Sequence, residues 1–326
     1  MNKTIIKIEY KKLLAYTAVF IIMAMAIGGI MLRFSPSGSP KAKSESSQLQ
    51  GKAFDGGTFE ASGVVQIPGT NSFLFVDDGR PGEVLYMEVD AQGNQSGAIK
   101  PVKLGINIED PEGITTDGTH FYIVGSQSKG KGAEQAGLIR FKFDPKTLSV
   151  TDVETISELK KFLVEHVAEL QDMGDKKGKK DGINIEGLAW DAQGNRLLLG
   201  LRSPLVNEQA LVIALKMNDP RSAFSYQNFK TDETRAIKLR LGGLGIRSIE
   251  YDNRVQAFRI IAGATENQGK TDFRLWEWNE ARGQTGLREV TTFDRKLKPE
   301  GITGAMVGDQ SFTFVVFDTS RYMRMD

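Results

Sequence analysis

Cysteine is absent from this 326-residue chain, and histidine occurs only twice, at His120 and His166. Disulfides, thiolate metal sites, cysteine nucleophiles and a lipid-modified cysteine anchor are thereby excluded, as is a histidine-rich metal centre. Chemistry, where there is any, falls to carboxylates, Arg, Lys, Ser, Thr or Tyr. A basic surplus is also lacking. The formal charge is +1, and residues 1–51 hold seven Lys/Arg against two Glu, which leaves the rest with 35 basic and 39 acidic residues. A mildly acidic body carries no nucleic-acid footprint, which needs a basic patch. Proline is scarce, at ten, whereas glycine is plentiful, at 35. That balance suits the many tight turns of an all-β protein.

Long apolar runs are missing except for one. Lys3, Lys7, Lys11 and Lys12 lie in a basic tail over 1–12, followed by an uncharged stretch over 13–32 that Arg33 closes. Twenty residues at about 1.5 Å each span ~30 Å, the thickness of a bilayer core. Lysines ahead of the run predict a cytoplasmic amino terminus and a single-pass anchor, with the rest outside the cytoplasm. A cleaved signal and a secreted or periplasmic product form the alternative. Residues 33–52, rich in Ser, Gly, Pro and Lys, read as a flexible linker.

From residue 53 to 326 one pattern recurs. An acidic residue, often followed by Gly, opens a short apolar strand; a turn follows, then a strongly apolar second strand that ends in polar residues. Copies begin at Glu60, Glu112, Glu186, Glu250 and Glu300, separated by 52, 74, 64 and 50 residues. Two more strand-like stretches follow each of the first four. Four strands per unit near a 50-residue spacing predicts an all-β, five-bladed β-propeller, or six blades if the long second-to-third interval hides another. The fifth unit is one strand short, and residues 47–54 are the candidate to close it. An apolar stripe at 156, 159, 163, 167 and 170 predicts an inserted helix near 156–173. Residues 219–233 form a second, polar insertion, and both insertions are expected on a propeller face where they could cover a ligand mouth.

First strands line a propeller's channel, so the five Glu are expected to converge at one end of it. Like charges that close need a counter-charge. Arg202 and Arg247 can supply it, or a divalent cation such as Ca²⁺, which prefers hard oxygen ligands. Glu60, Glu186 and Asp318 are the candidate metal ligands. Asp78, Glu112, Ser126, Glu250 and Glu300 are candidate ligand contacts. The two arginines would stabilise negative charge developing in a reaction. A carboxylate repeated in every blade also suits a structural role. Residues that differ between blades (Asp78, Arg202, Arg247 and Asp318) are therefore the stronger functional candidates. Gly242-Gly-Leu-Gly-Ile leads into a strand and lacks a P-loop Lys, so it reads as a blade junction.

Asp110-Pro-Glu-Gly-Ile, Asn184-Ile-Glu-Gly-Leu-Ala-Trp, Leu198-Leu-Gly-Leu-Arg-Ser-Pro-Leu, Leu241-Gly-Gly-Leu-Gly-Ile-Arg and Pro299-Glu-Gly-Ile resemble a bacterial family known only as a domain of unknown function. That family is distantly similar to phytase-like (esterase-like) propellers and to gluconolactonase/regucalcin. The resemblance implies the propeller fold. Through the better-understood relatives it implies a divalent metal at the channel mouth and hydrolysis of a phosphoester or lactone, with Glu60 matching an early-blade metal ligand. The sequence departs from those relatives in lacking matches to their Asn and Asp ligands and the clustered Lys and Arg of a phytase. Two functions follow: a metal-dependent hydrolase of small esters, lactones or phosphoesters, or a non-catalytic propeller that binds a small molecule or a cell-envelope partner.

Overall fold

The computed structural model describes residues 50–129, 136–178, 181–266 and 268–326. The basic tail, the apolar run over 13–32 and the linker up to residue 49 lie outside the described residues. Among the described residues no helix is long and apolar enough to cross a membrane.

Twenty strands form five antiparallel four-stranded sheets. The first strand, β1 (Lys52–Ala53), belongs to the last blade. Blade 1 holds β2 (Ala61–Gln66), β3 (Ser72–Asp77), β4 (Glu83–Glu88) and β5 (Lys100–Lys103). Blade 2 holds β6 (Pro111–Thr116), β7 (Phe121–Gly125), β8 (Ala136–Asp144) and β9 (Ser149–Ser157). Blade 3 is β10 (Asn184–Asp191), β11 (Arg196–Ser203), β12 (Ala210–Lys216) and β13 (Arg235–Leu239). Blade 4 is β14 (Gly245–Asp252), β15 (Ala257–Gly263), β16 (Phe273–Trp278) and β17 (Leu287–Phe293). In blade 5, β18 (Pro299–Val307), β19 (Gln310–Phe317) and β20 (Arg321–Met325) are joined by β1, so the chain's two ends close one sheet. Five blades account for every repeat, and the six-bladed alternative is excluded among the described residues.

The long second-to-third interval holds a helix instead of a blade. Helix α1 (Leu159–His166) is followed by a 3₁₀ turn over Ala168–Met173. Leu159, Phe162, Leu163 and Leu170 bury the predicted stripe against blades 2 and 3. The insertion over 219–233 is less polar in its packing than its composition suggests. Phe224 and Phe229 are buried in the same cluster as α1, and Arg140, only 3% exposed, holds the carbonyls of Pro220 and Ser222. These two insertions pack on each other; neither lines the cavity at the channel mouth, contrary to expectation.

The Gly that follows the acid has a packing role. A Cβ on Gly113 would sit 2.7 Å from Leu188 Cβ and 3.0 Å from Leu188 N, in the next blade's inner strand. Gly63 faces the backbone of blade 2 in the same way, and Gly301 faces that of blade 1. In blade 4 Ser248 takes this place, and its hydroxyl accepts the Ile302 N–H of blade 5 at 3.2 Å. Where Gly holds this place, inner strands meet with no room for a side chain. Gly113→Ala is expected to cost about 1–3 kcal/mol through overpacking, read from the denaturant midpoint at unchanged m-value.

Candidate functional site

Every inner strand carries a register break against its neighbour at the same place. One residue is skipped between Pro111 and Gly113, Ile185 and Gly187, Ile246 and Ser248, and Pro299 and Gly301; in blade 1 the break falls between Ala61 and Val64. A bulge leaves its extra residue outside the ladder and re-aims that side chain. The bulged residues are Ser62, Glu112, Glu186, Arg247 and Glu300, and all five line one cavity of about 860 Å³.

This ring corrects two expected positions. Glu60 lies two residues ahead of Ser62 and does not line the cavity; its N–H donates to Asp77 Oδ2 at 3.1 Å. Glu250 lies three residues beyond Arg247, deeper in the channel. There Thr115 Oγ1 donates to its carboxyl at 3.0 Å and in turn accepts the Trp190 N–H at 3.1 Å, tying blades 2, 3 and 4 together. Burial holds the Glu250 carboxyl well above the ordinary range. The reason for both displacements is the bulge, whose position is set by the residue that must pack flat on the next blade. In blades 1 and 4 that residue follows Ser and Arg, so no acid occupies the ring.

The ring is an ion-pair network. Arg247 Nε lies 2.9 Å from Glu186 Oε2 and donates to Glu300 Oε2 at 2.6 Å, while its Nη2 donates to Glu300 Oε1. Its guanidinium carbon also sits 5.8 Å from the centre of the Phe273 ring. Arg202, at the end of β11, brings Nη1 to 2.9 Å from Glu186 Oε1 and 3.1 Å from Glu266 Oε1. Each guanidinium is therefore matched by carboxylates. Burial alone would lower the Arg247 pKa, but the carboxylates of Glu186 and Glu300 outweigh it and raise the value. Burial lifts Glu300 to about 7 against the pull of Arg247.

The remaining acids stand on the blade 1 and 2 side. Burial, with the charges of Glu186, Asp110 and Glu300, pushes Glu112 well above the ordinary carboxyl range. Asp78 is raised to about 7 by burial and by contact with the Glu60 carboxyl. Asp110 accepts the Ser126 hydroxyl proton, and the same hydroxyl oxygen lies 3.0 Å from Ser128 Oγ, from which it can accept. Ser126 thus supports the cavity from behind Asp110 and Ser128, which line it themselves. Asp318 lines the opposite side and is paired with Lys298.

The candidate metal ligands are held by different partners. Glu186 has a guanidinium at each oxygen, Asp318 has Lys298, and Glu60 adjoins Asp77 and Asp78. Among the described residues no group of three or more His, Asp or Glu is placed to hold a metal ion. Arg202 and Arg247 lie against Glu186, and Lys298 against Asp318.

Ser62, Asn184, Lys270 and Lys298 are among the cavity residues that were not candidates in the sequence. Asn184, in Asn-Ile-Glu-Gly, had a local signal, since it precedes a ring acid by two. The Gly242 segment is a junction, as read: a Cβ on Gly245 would fall 2.0 Å from the Arg202 carbonyl oxygen, so this glycine permits the close approach that delivers Arg202 beside Arg247.

Residues 144–326, more than half of the chain, match the family profile described as Protein of unknown function (DUF3616). No curated protein matches the chain. Solved structures match at the level of architecture. A candidate gluconolactonase is 11% identical, with a TM-score of 0.40, over 85% of this chain and 94% of that one. A luciferin-regenerating enzyme is 10% identical, with a TM-score of 0.39, over 80% and 71%. Hydrazine synthase of Kuenenia stuttgartiensis is 11% identical, with a TM-score of 0.37, over 82% of this chain; the chain spans 58% of that protein.

Proposed function

Since the chain belongs to this family of unknown function (DUF3616), we propose its role from the channel mouth: the propeller binds a small polar ligand there. One observation carries the reading. Five bulges, one per blade, turn one serine, one arginine and three glutamates (Ser62, Arg247, Glu112, Glu186 and Glu300) into a single cavity. A merely structural ring would repeat one residue type, whereas an unequal ring offers distinct groups at fixed places. The ion pairs among Arg202, Arg247, Glu186 and Glu300 fix those side chains before a ligand arrives, which reduces the ordering cost of binding. Carboxyls dominate the blade 1 and 2 wall; Arg202, Lys270 and Lys298 stand on the other. The Lys-flanked apolar run over 13–32 supports an anchored propeller held outside the cytoplasm.

A second reading, hydrolysis of a small ester, lactone or phosphoester, is favoured by Asp78. A carboxyl raised to about 7 can donate a proton near neutral pH. A divalent cation in that reaction would need ligands other than Glu186.

The two readings separate in one experiment on the full-length protein: a panel of sugars, lactones, phosphoesters and amino acids, scored for melting temperature and for turnover. Binding raises the melting temperature of the wild type but not of Arg202→Ala, because only the native state binds. Arg247 still faces Glu186 in that variant, so the fold should persist. Turnover of any panel member that Arg202→Ala abolishes would overturn the binding reading in favour of hydrolysis. No shift and no turnover with any compound would remove both.

A further inference from the structure

Within the mouth, Glu186 Oε2 has no hydrogen bond but is ion-paired with Arg247, whereas two other acceptors have neither. Asn184 is only 5% exposed, and it lines the cavity. Its Nδ2 donates to Glu186 Oε1 at 3.1 Å, which fixes the amide's orientation, since the flipped amide would set oxygen against oxygen. The Asn184 Oδ1 left on the other side has no hydrogen-bond partner. A buried carbonyl without a donor costs roughly 1–3 kcal/mol, so its retention calls for an explanation. Glu112, the bulged residue of the adjacent blade, also turns its carboxyl into the cavity, and no hydrogen bond or ion pair engages it among the described residues.

Internal cations do not answer these acceptors. Arg202 and Arg247 are both directed at Glu186, with Glu266 and Glu300 as their other partners. Lys270, Arg295, Lys296 and Lys298 also line the cavity, but Lys298 is paired with Asp318, and among the described residues none of the four is hydrogen-bonded or ion-paired to Asn184 or Glu112. The missing group is therefore a compact donor of positive charge.

We propose that Glu112 and Asn184 Oδ1, with Asp110 beside them, form a subsite for the primary ammonium group of the ligand. The inference rests on the mouth being a binding site, and it names the chemistry that one wall of that site takes. An ammonium group has three N–H donors and no acceptor, which suits a pocket of carboxylate and carbonyl oxygens. A hard metal ion would seek oxygens too, but prefers several carboxylates gathered at one point, and among the described residues no group of three is so placed.

Titration calorimetry on the full-length protein with ethylammonium, tetramethylammonium, Ca²⁺ and Mg²⁺ chlorides tests this. Ethylammonium should bind one site, and tetramethylammonium, which cannot donate, at least about tenfold more weakly. Asn184→Ala and Glu112→Gln should each weaken ethylammonium binding by about tenfold or more. Should Asn184→Ala not fold, Glu112→Gln, which keeps the side-chain shape, carries the test. Binding of Ca²⁺ or Mg²⁺ without ethylammonium would overturn the subsite in favour of a metal ion. Equal binding of both organic cations, or none, would also overturn it. A neutral sugar or lactone that stabilises the wild type but not Arg202→Ala would then leave the mouth as a binding site and the ammonium assignment alone refuted.

Discussion

Arg247→Met is expected to lower folding stability by about 3–5 kcal/mol, the usual cost of removing one partner from a buried ion pair. The side chain is 11% exposed and those of Glu186 and Glu300 less still, so neither carboxylate can recover its hydration once the guanidinium is gone. Arg202 would still face Glu186, but Glu300 would lose both of its donors. The triple change Arg247→Met, Glu186→Gln, Glu300→Gln should recover most of the loss, because it removes both stranded carboxylates while Arg202 keeps Glu266 as its partner. Loss in the single variant without recovery in the triple would show that Arg247 acts through packing on Phe273 instead.

The same variant has a signed dependence on pH. In the wild type Glu300 is raised from 4.5 to about 7, and removing Arg247 takes away the charge that holds it down, so it rises further. A carboxyl raised in the folded state favours folding fully below its unfolded value near 4.5 and loses that contribution as pH climbs through its folded value. The stability deficit of Arg247→Met should therefore be smaller at pH 5 than at pH 8. Urea midpoints at the two values check it; a larger deficit at pH 5 would contradict the assignment of Glu300 as the stranded group.

Blade count and strand order were legible because each blade repeats a local pattern that its own hairpin satisfies. The closing strand β1 falls within the stretch chosen for it. The phase of the ring was less legible. Which residue bulges depends on contact with the next blade, some 50 or more residues away, and Glu60 and Glu250 are acids near the right place without occupying it. The Gly that follows four of the five ring residues was the better marker, since Gly63 points to Ser62. Arg247 was legible as a counter-charge, although not as a ring member. The burial of Phe224 and Phe229 was not legible, because two isolated aromatics in a polar segment have no periodicity, and their burial is decided by α1.

Phe54→Ala should cost about 3–5 kcal/mol, as large as any core truncation, although it lies next to a strand of only two residues. Strand β1 pairs Lys52 with Tyr322 and Ala53 with Arg321, and Phe54 N–H donates to the Ser320 carbonyl at 3.2 Å. Two pairs of backbone residues cannot by themselves offset the entropy of holding a chain segment in place. Side chains supply the rest. Phe54 stacks on Phe75 of blade 1 at 5.4 Å and on Tyr322 of blade 5 at 5.2 Å, and meets the edge of Phe59 at 5.6 Å. It therefore pins the sheet that joins the two ends of the chain and fills the seam between the last blade and the first. Its removal should expose the β20 edge, so amide exchange should accelerate there and in β19 before it does in blade 3. Lys52→Ala, a change at an exposed position in the same strand, should stay within about 0.5 kcal/mol of the wild type. If both variants unfold at the wild-type midpoint, the ring is closed by the inner strands alone, through the glycine contacts that run from blade 5 back to blade 1 at Gly301.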